Sequence, residues 1–329
     1  LCVVTLKRVT QVMTTRGSYA SPITRTNRKI KQITDQTRKT TLGVTLAIVG
    51  ALLLTPDTLL MRLSQLDGWN MLIWRGSLSG AAYLIIWGML DGWKSLSKIT
   101  SLNFSILLCC QLLNAVFFSL AIALAPVVIV LIGVATVPVF AALLSRLILN
   151  EPLSKLTLMT AFVVLSGLSI SLLGHDIDRA TISEKNVIGL LLGLGVAFAL
   201  AMNFTMIRKD QDAPFVLAMA LGAMCAAGVG YLCAEKIQWL PVMNMLSIGL
   251  TGICILPLSF VALSYAARNV KSSTVSLIML SETVLGPLWV WWGVGESPNR
   301  MMLIGGTVVL AAIAAFIVLE RRNDALESA

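Results

Sequence analysis

The sequence predicts an all-α integral membrane protein of ten transmembrane helices, arranged as two inverted five-helix repeats. Three observations lead there: a composition too apolar for a soluble fold, a series of apolar runs each near 20 residues, and a pattern that occurs twice. Of the 329 residues, 57% are hydrophobic and 12% are charged, with a mean hydropathy of +0.86. Soluble domains carry roughly 25% charged residues. A soluble core of this size cannot hide so much apolar sequence, so lipid must solvate much of it.

The apolar runs begin at residue 42. They cover residues 42–61, 71–90, 103–125, 126–148, 156–174, 187–207, 214–233, 244–266, 272–293 and 301–319. A helix of about 20 residues at 1.5 Å per residue spans the ~30 Å hydrocarbon core. The length and continuity of the runs select helices over strands. Only Ala125-Pro126 separates the third run from the fourth, where Pro can open a new helix. Breakers and charges collect between runs, at Leu66-Asp67-Gly68, Asp91-Gly92-Trp93-Lys94, Asn150-Glu151-Pro152 and Gly295-Glu296-Ser297-Pro298. The longest connection, His175 to Asn186, joins two halves: residues 42–174 and residues 187–319, with a C-terminal tail at 320–329.

Residues 1–41 are polar, Thr-rich and basic, and are expected to form a dispensable disordered tail. Nine of the 25 Lys and Arg residues lie there against one acid, Asp35. The net charge of +9 therefore belongs mostly to a tail. It reads as a cytoplasmic face beside anionic lipid rather than a nucleic-acid surface. The chain opens on Leu1, which fits a fragment, a non-standard start or a start placed too early, with Met13 as an internal candidate. A basic, acid-poor leader also resembles an organelle transit peptide.

Orientation follows from the asymmetry of basic residues. With the N-terminus inside, the inner side receives 19 Lys and Arg and the outer side five: Arg62, Arg179, Lys185, Lys236 and Arg300. Without the tail the ratio is still ten to five. Both termini are expected in the cytoplasm, which requires an even number of spans. The six cysteines form no CxxC pair and read as small buried hydrophobes. His175, the only histidine, lies near Asp176 and Asp178 in a solvated connection, so no metal and no cofactor are expected.

The doubled pattern is VPVFAALLSRLILNEPL from Val137 to Leu153 and ETVLGPLWVWWGVGESP from Glu282 to Pro298. Each is a nearly apolar helix ending in an acid, Glu151 or Glu296, with Pro one or two residues later. Five spans per half make the second half inverted, an architecture that places binding sites near the bilayer midplane. Pro138, Ala141-Ala142 and Glu151-Pro152, then Glu282 with Pro287 and Glu296, and Gly305-Gly306 in the last helix, resemble the EamA-type ten-helix members of the drug/metabolite transporter superfamily. The second motif departs from the family's usual Glu-Pro, because Thr283 follows Glu282. The resemblance covers roughly residues 42–320. It implies a central cavity lined chiefly by the first, third, fourth, sixth, eighth and ninth helices, and export or exchange of small metabolites, amino acids or drugs.

Four charged side chains fall inside the runs: Asp57, Arg75, Arg146 and Glu282. Each costs at least about 2.5–3.5 kcal/mol to insert, so each needs a partner or a role. Arg146 is close enough to an end to snorkel. Asp57 and Arg75 both lie about 6 Å from the same side, on neighbouring antiparallel helices, so they are expected to pair or to serve as an outer gate or carboxylate contact. Pro56 beside Asp57 frees a carbonyl. Glu282 lies about 15 Å into the ninth run, near the midplane, with no basic residue at its depth. It reads as a proton-coupling or cation-recognition group, or as a neutral carboxyl bonded to Asn114 or Asn203. Gln111, Asn114 and Asn203 either line a polar cavity or join helices. Tyr265 and Trp289 are aromatic candidates for the same path, while Trp74, Trp87 and Trp93 read as interfacial anchors.

Together these readings predict a secondary transporter in the bacterial cytoplasmic membrane, monomer or homodimer, moving a small organic solute by alternating access. No P-loop or nucleophile elbow supports an ATPase or a hydrolase. A lipid-modifying membrane enzyme and a non-transporting assembly factor are the alternatives.

Overall fold

The computed structural model of the chain describes residues 22–90, 98–125, 127–173, 184–239, 241–294 and 300–327. All regular structure among these residues is helical. In chain order the helices are α1 Pro22–Leu54, α2 Asp57–Ser64, α3 Gly68–Leu90, α4 Leu102–Leu124, α5 Val127–Val134, α6 Val137–Leu149 and α7 Lys155–Leu173. There follow α8 Glu184–Lys209, α9 Phe215–Cys233, α10 Val242–Leu250, a π-helical turn Thr251–Ile255, α11 Leu256–Asn269, α12 Ser272–Met279, α13 Ser281–Val294 and α14 Arg300–Glu327.

Each of the ten apolar runs coincides with one helix or with a helix broken once. Eight of these stretches are long and apolar enough to cross a membrane, from Arg38–Ser64 to Leu303–Glu320. The two outside that set are α3, whose hydropathy is lowered by Asn70, Arg75 and Ser79, and α7, whose apolar stretch Lys155–Ile170 is short. The chain is a multi-pass membrane protein.

The expected disordered tail differs from the structure over its second part. Residues from Pro22 onward are helical and continue into the first span. Once a helix is nucleated in the apolar run, each added residue needs only one further hydrogen bond, so the helix extends past the lipid boundary. Glu296 and the cluster of His175, Asp176 and Asp178 lie outside the described residues.

Four helices are interrupted inside the bundle, and each interruption has a local cause. Between α1 and α2 the chain turns at Thr55-Pro56; between α5 and α6 at Ala135-Thr136; between α12 and α13 at Leu280; and the π turn lies ahead of Pro257. A break leaves carbonyls without their i+4 donor, and hydrocarbon offers no water to replace it. At each a threonine hydroxyl adds to its own backbone N–H on a carbonyl three residues back: Thr55 onto the Leu52 carbonyl at 2.8 Å, Thr136 onto Gly133 at 2.6 Å, Thr251 onto Ile248 at 2.8 Å and Thr283 onto Leu280 at 2.6 Å.

The helices pack in recurrent pairs: α3 on α9, α4 on α8, α7 on α14, α1 on α11 and α6 on α12. Small residues set the closest approaches, as expected where packing rather than hydrophobicity drives association. A Cβ on Gly76 of α3 would lie 2.7 Å from the Ala223 carbonyl of α9, and one on Gly193 of α8 would lie 2.6 Å from the Val130 carbonyl of α5. The main core joins α1, α4, α6, α8, α9 and α11 through Ala47, Leu144, Phe204, Phe215, Leu263 and their neighbours.

Gly193→Ala therefore forces two backbones apart, with a cost of about 1–3 kcal/mol as for other overpacked sites. Gly228→Ala meets nothing within 4 Å and should gain up to about 1 kcal/mol from helix propensity. Thermal unfolding of the detergent-solubilised protein should separate the two in sign. Equal melting temperatures would reject the close approach.

Candidate functional site

The broken helices border a cavity of about 60 Å³ among the helices of the bundle. Its polar side chains arise from helical spacing. On α3, Arg75, Ser79 and Tyr83 are four residues apart and share one face; on α4, Gln111, Asn114 and Phe118, three and four apart, share another, with Ser119 beside them. Asp57 comes from α2 and Glu282 from α13, with Leu54, Leu72, Val196, Leu200, Phe260 and Met279 forming an apolar wall. The family resemblance implied a lining chiefly from other helices, the fourth among them and the second not. The structure differs in both respects, because Arg75 brings α3 to the cavity and no residue of α5 or α6 lines it.

Asp57 and Arg75 form a buried ion pair through Oδ2 and Nη2. The guanidinium also meets the Met61 sulfur at 2.8 Å and lies 5.4 Å from the centre of the Phe118 ring, a cation–π distance. Asp57 Oδ1 and Arg75 Nε have no protein partner among the described residues, so the pair keeps one acceptor and one donor in reserve. Asp57 is 1% exposed and Arg75 8%.

Glu282 is 8% exposed and lies in the first turn of α13, just past the break at Leu280. Asp57 occupies the same place in α2, just past the break at Pro56. The positive end of a short helix dipole thus faces each acid. Among the described residues no hydrogen bond or ion pair reaches the Glu282 carboxyl, so Asn114 and Asn203 do not hold it. The cavity contains one neutralised pair and one carboxyl left over.

The other candidates fall elsewhere. Asn203 is buried one turn beyond the cavity, past Leu200, with Oδ1 unpartnered. Tyr265 stacks edge-on against Phe215 at 5.3 Å, with the Arg268 guanidinium over both rings. Trp289 donates to the Thr55 hydroxyl at 2.9 Å and so braces the break in the first span. Arg146 is exposed, as a snorkelling residue would be. Trp74 donates to the Gln238 carbonyl at 3.1 Å and meets Trp239 edge-on.

Two features escaped the sequence reading. Tyr83 lines the cavity and donates to the Leu256 carbonyl at 3.1 Å, beside the π turn. Its spacing from Arg75 was the available signal. Arg208 binds Glu151 at 2.8 Å and the Val270 carbonyl at 2.7 Å, away from the cavity. Nothing in the sequence separates this pair from other charges at helix ends.

Removing one charge of the Asp57–Arg75 pair strands the other, at a cost of about 3–5 kcal/mol. Asp57→Asn and Arg75→Gln should each lower thermal stability in detergent, and the double variant should lose less than the sum of the single losses. Strictly additive losses would discard the pair.

Residues 187–318 match the EamA-like transporter family. A relative from Bacillus subtilis (strain 168), the uncharacterized transporter YdfC, is 25% identical over 189 residues, or 55% of this chain. That match spans 59% of the relative's length. A crystal structure of another protein, 15% identical, superposes with a TM-score of 0.71 over 85% of this chain and 98% of that one, a likeness of fold alone. The EamA-type resemblance read from the sequence is borne out by this match, which lies in the second half of the chain.

Proposed function

We propose that the chain is a secondary transporter of ten spans that moves a small organic solute bearing a cationic group and an apolar body, by alternating access across the bacterial cytoplasmic membrane. The observation that carries this reading is the charge balance of the cavity. Asp57 and Arg75 neutralise each other, so Glu282 is the group left to be matched by a proton or by a solute cation. The apolar wall offers area for the rest of the solute. A zwitterionic solute would have to displace Asp57 from Arg75, which a buried pair resists.

Alternating access needs two halves that can exchange roles, and the packing supports such a relation. With the ten runs numbered in order, exchange of each with the run five places on maps the pairs two–seven, four–nine and five–ten onto themselves. The same exchange turns pair three–six into pair eight–one, and all five pairs occur. The fourth and ninth runs break after eight residues each and continue for 13 and 14. An odd number of spans per half makes the relation an inverted one. The family match to the second half and the name of the Bacillus relative support transport over the enzyme and assembly-factor readings.

The end that carries Glu151, Arg208 and Lys271 collects the basic residues and is taken as cytoplasmic. Reporter fusions should then place residue 320 inside and residue 236 outside. Residue 320 outside would reject the even number of spans.

Glu282→Gln keeps size and most hydrogen bonding but removes the titratable group. In proteoliposomes it should leave folding intact and abolish either pH-dependent transport or selectivity for cationic over neutral solutes. Screening should cover amino acids, nucleobases, vitamins and cationic drugs. An unchanged rate and pH profile would return Glu282 to helix packing.

A further inference from the structure

Between the cavity and the basic end lies part of the main core, with Leu144, Phe204, Leu263 and Val275 buried, yet this region is not apolar throughout. Ser145 on α6, Asn203 on α8, Ser259 and Ser264 on α11 and Ser272 on α12 are all at most 5% exposed. Each has a side-chain oxygen with no protein hydrogen-bond partner among the described residues. Such atoms are costly in an apolar interior. Serine or threonine in a helix readily avoids the cost by bonding the carbonyl one turn back. Thr160, Ser166, Ser169, Thr205 and Ser276 of this chain all do so. The four serines here do not.

Their depths form a series. Ser272 lies at the basic end of its helix. Ser145, Ser264 and Asn203 lie about 6, 7.5 and 9 Å in from the basic ends of theirs, and Ser259 lies about 15 Å in, level with Glu282. Of the four helices concerned, α8 and α12 pack on each other and on both α6 and α11. The Arg208 guanidinium joins two of these helices at their basic ends. Arg208, near the end of α8, binds Glu151 just after α6 and the Val270 carbonyl just after α11. Arg208 and Glu151 are about a quarter exposed, so the contact is of the kind that contributes modestly and breaks readily.

We propose that Ser145, Asn203, Ser259, Ser264 and Ser272 line the second half of the solute path, between Glu282 and the basic end, and that Arg208 holds this half shut by binding Glu151 and Val270 together. The proposal rests on the alternating-access reading. When the Arg208 contact opens, water enters and satisfies the five polar side chains, which offsets the lost ion pair. The closed and open states then differ little in free energy, as a two-state gate requires.

The test is thiol accessibility in the full chain, read peptide by peptide by mass spectrometry so that the native cysteines stay in place. Ser264→Cys and Asn203→Cys are treated from the basic side with a charged, membrane-impermeant thiol reagent, with and without Glu151→Gln. Ala218→Cys, on the buried apolar face of α9, is the control. Loss of this partly exposed ion pair should speed modification at positions 264 and 203 by about tenfold, with no change at position 218. Unchanged rates overturn the proposal, as does a rise shared by position 218, which marks general loosening. Where Glu151→Gln yields no folded protein, Arg208→Lys replaces it: a cation remains for Glu151 but the fork that reaches Val270 is lost. A smaller rise is then expected, and no rise overturns the proposal. Labelling needs no transported solute. Absence of transport with gated labelling would sink the transport reading alone, and transport with ungated labelling would sink this path alone.

Discussion

Inside a hydrocarbon layer a backbone carbonyl has no water to bond, so an uninterrupted helix is the default and every interruption needs a local remedy. The bundle depends on how this constraint is met at four places. Thr55, Thr136, Thr251 and Thr283 each turn a hydroxyl back to a carbonyl three residues earlier. Those bonds permit α2, α6, α11 and α13 to start anew within the bundle. Two of the new starts present an acid in the first turn, Asp57 and Glu282. The cavity and its charges are thus consequences of satisfied helix breaks.

Charge is managed differently at the two levels of the bundle. At the cavity, Asp57 and Arg75 are almost fully enclosed, where a lone charge would be prohibitive and a pair is tolerable. At the basic end, Arg208 and Glu151 are about a quarter exposed and their bond is correspondingly cheap to break. The buried pair is therefore the costlier of the two to break, and the quarter-exposed pair the cheaper. Glu282 belongs to neither class, because no partner among the described residues reaches it, and it lies beside an apolar wall.

Much of the architecture was legible because it depends on length and hydropathy alone. All ten runs coincide with helices, since the thickness of hydrocarbon fixes how many apolar residues a span needs. Two departures came from local effects that hydropathy does not register. The helix starting at Pro22 extends through a polar segment, because propagation from an apolar nucleus is cheap. α3 falls outside the most apolar set, because its polar residues are covered by neighbours rather than by lipid. The Asp57–Arg75 pair was foreseen from matched depth, a quantity that 1.5 Å per residue supplies directly. Tyr83 was overlooked although its spacing from Arg75 was visible, because a tyrosine can bury its ring in many settings. The roles of Trp289 and Tyr265 were beyond reach, since each depends on a partner more than 45 residues away.

The sequence by itself determined that the chain lies in a membrane, where its helices fall, and which charges are too deep to be left alone. These follow from the energy of moving each residue out of water, a property of the residue and its neighbours in the chain. Only the tertiary structure decided which charges meet, where the helices break, which face of α3 and α4 borders the cavity, and that one arginine ties Glu151 to Val270. Those outcomes depend on the rotation and approach of helices distant in sequence. In lipid, hydrophobicity does not select among apolar faces. Close contact at residues such as Gly76 and Gly193 does, together with the few polar bonds that hydrocarbon leaves without any alternative.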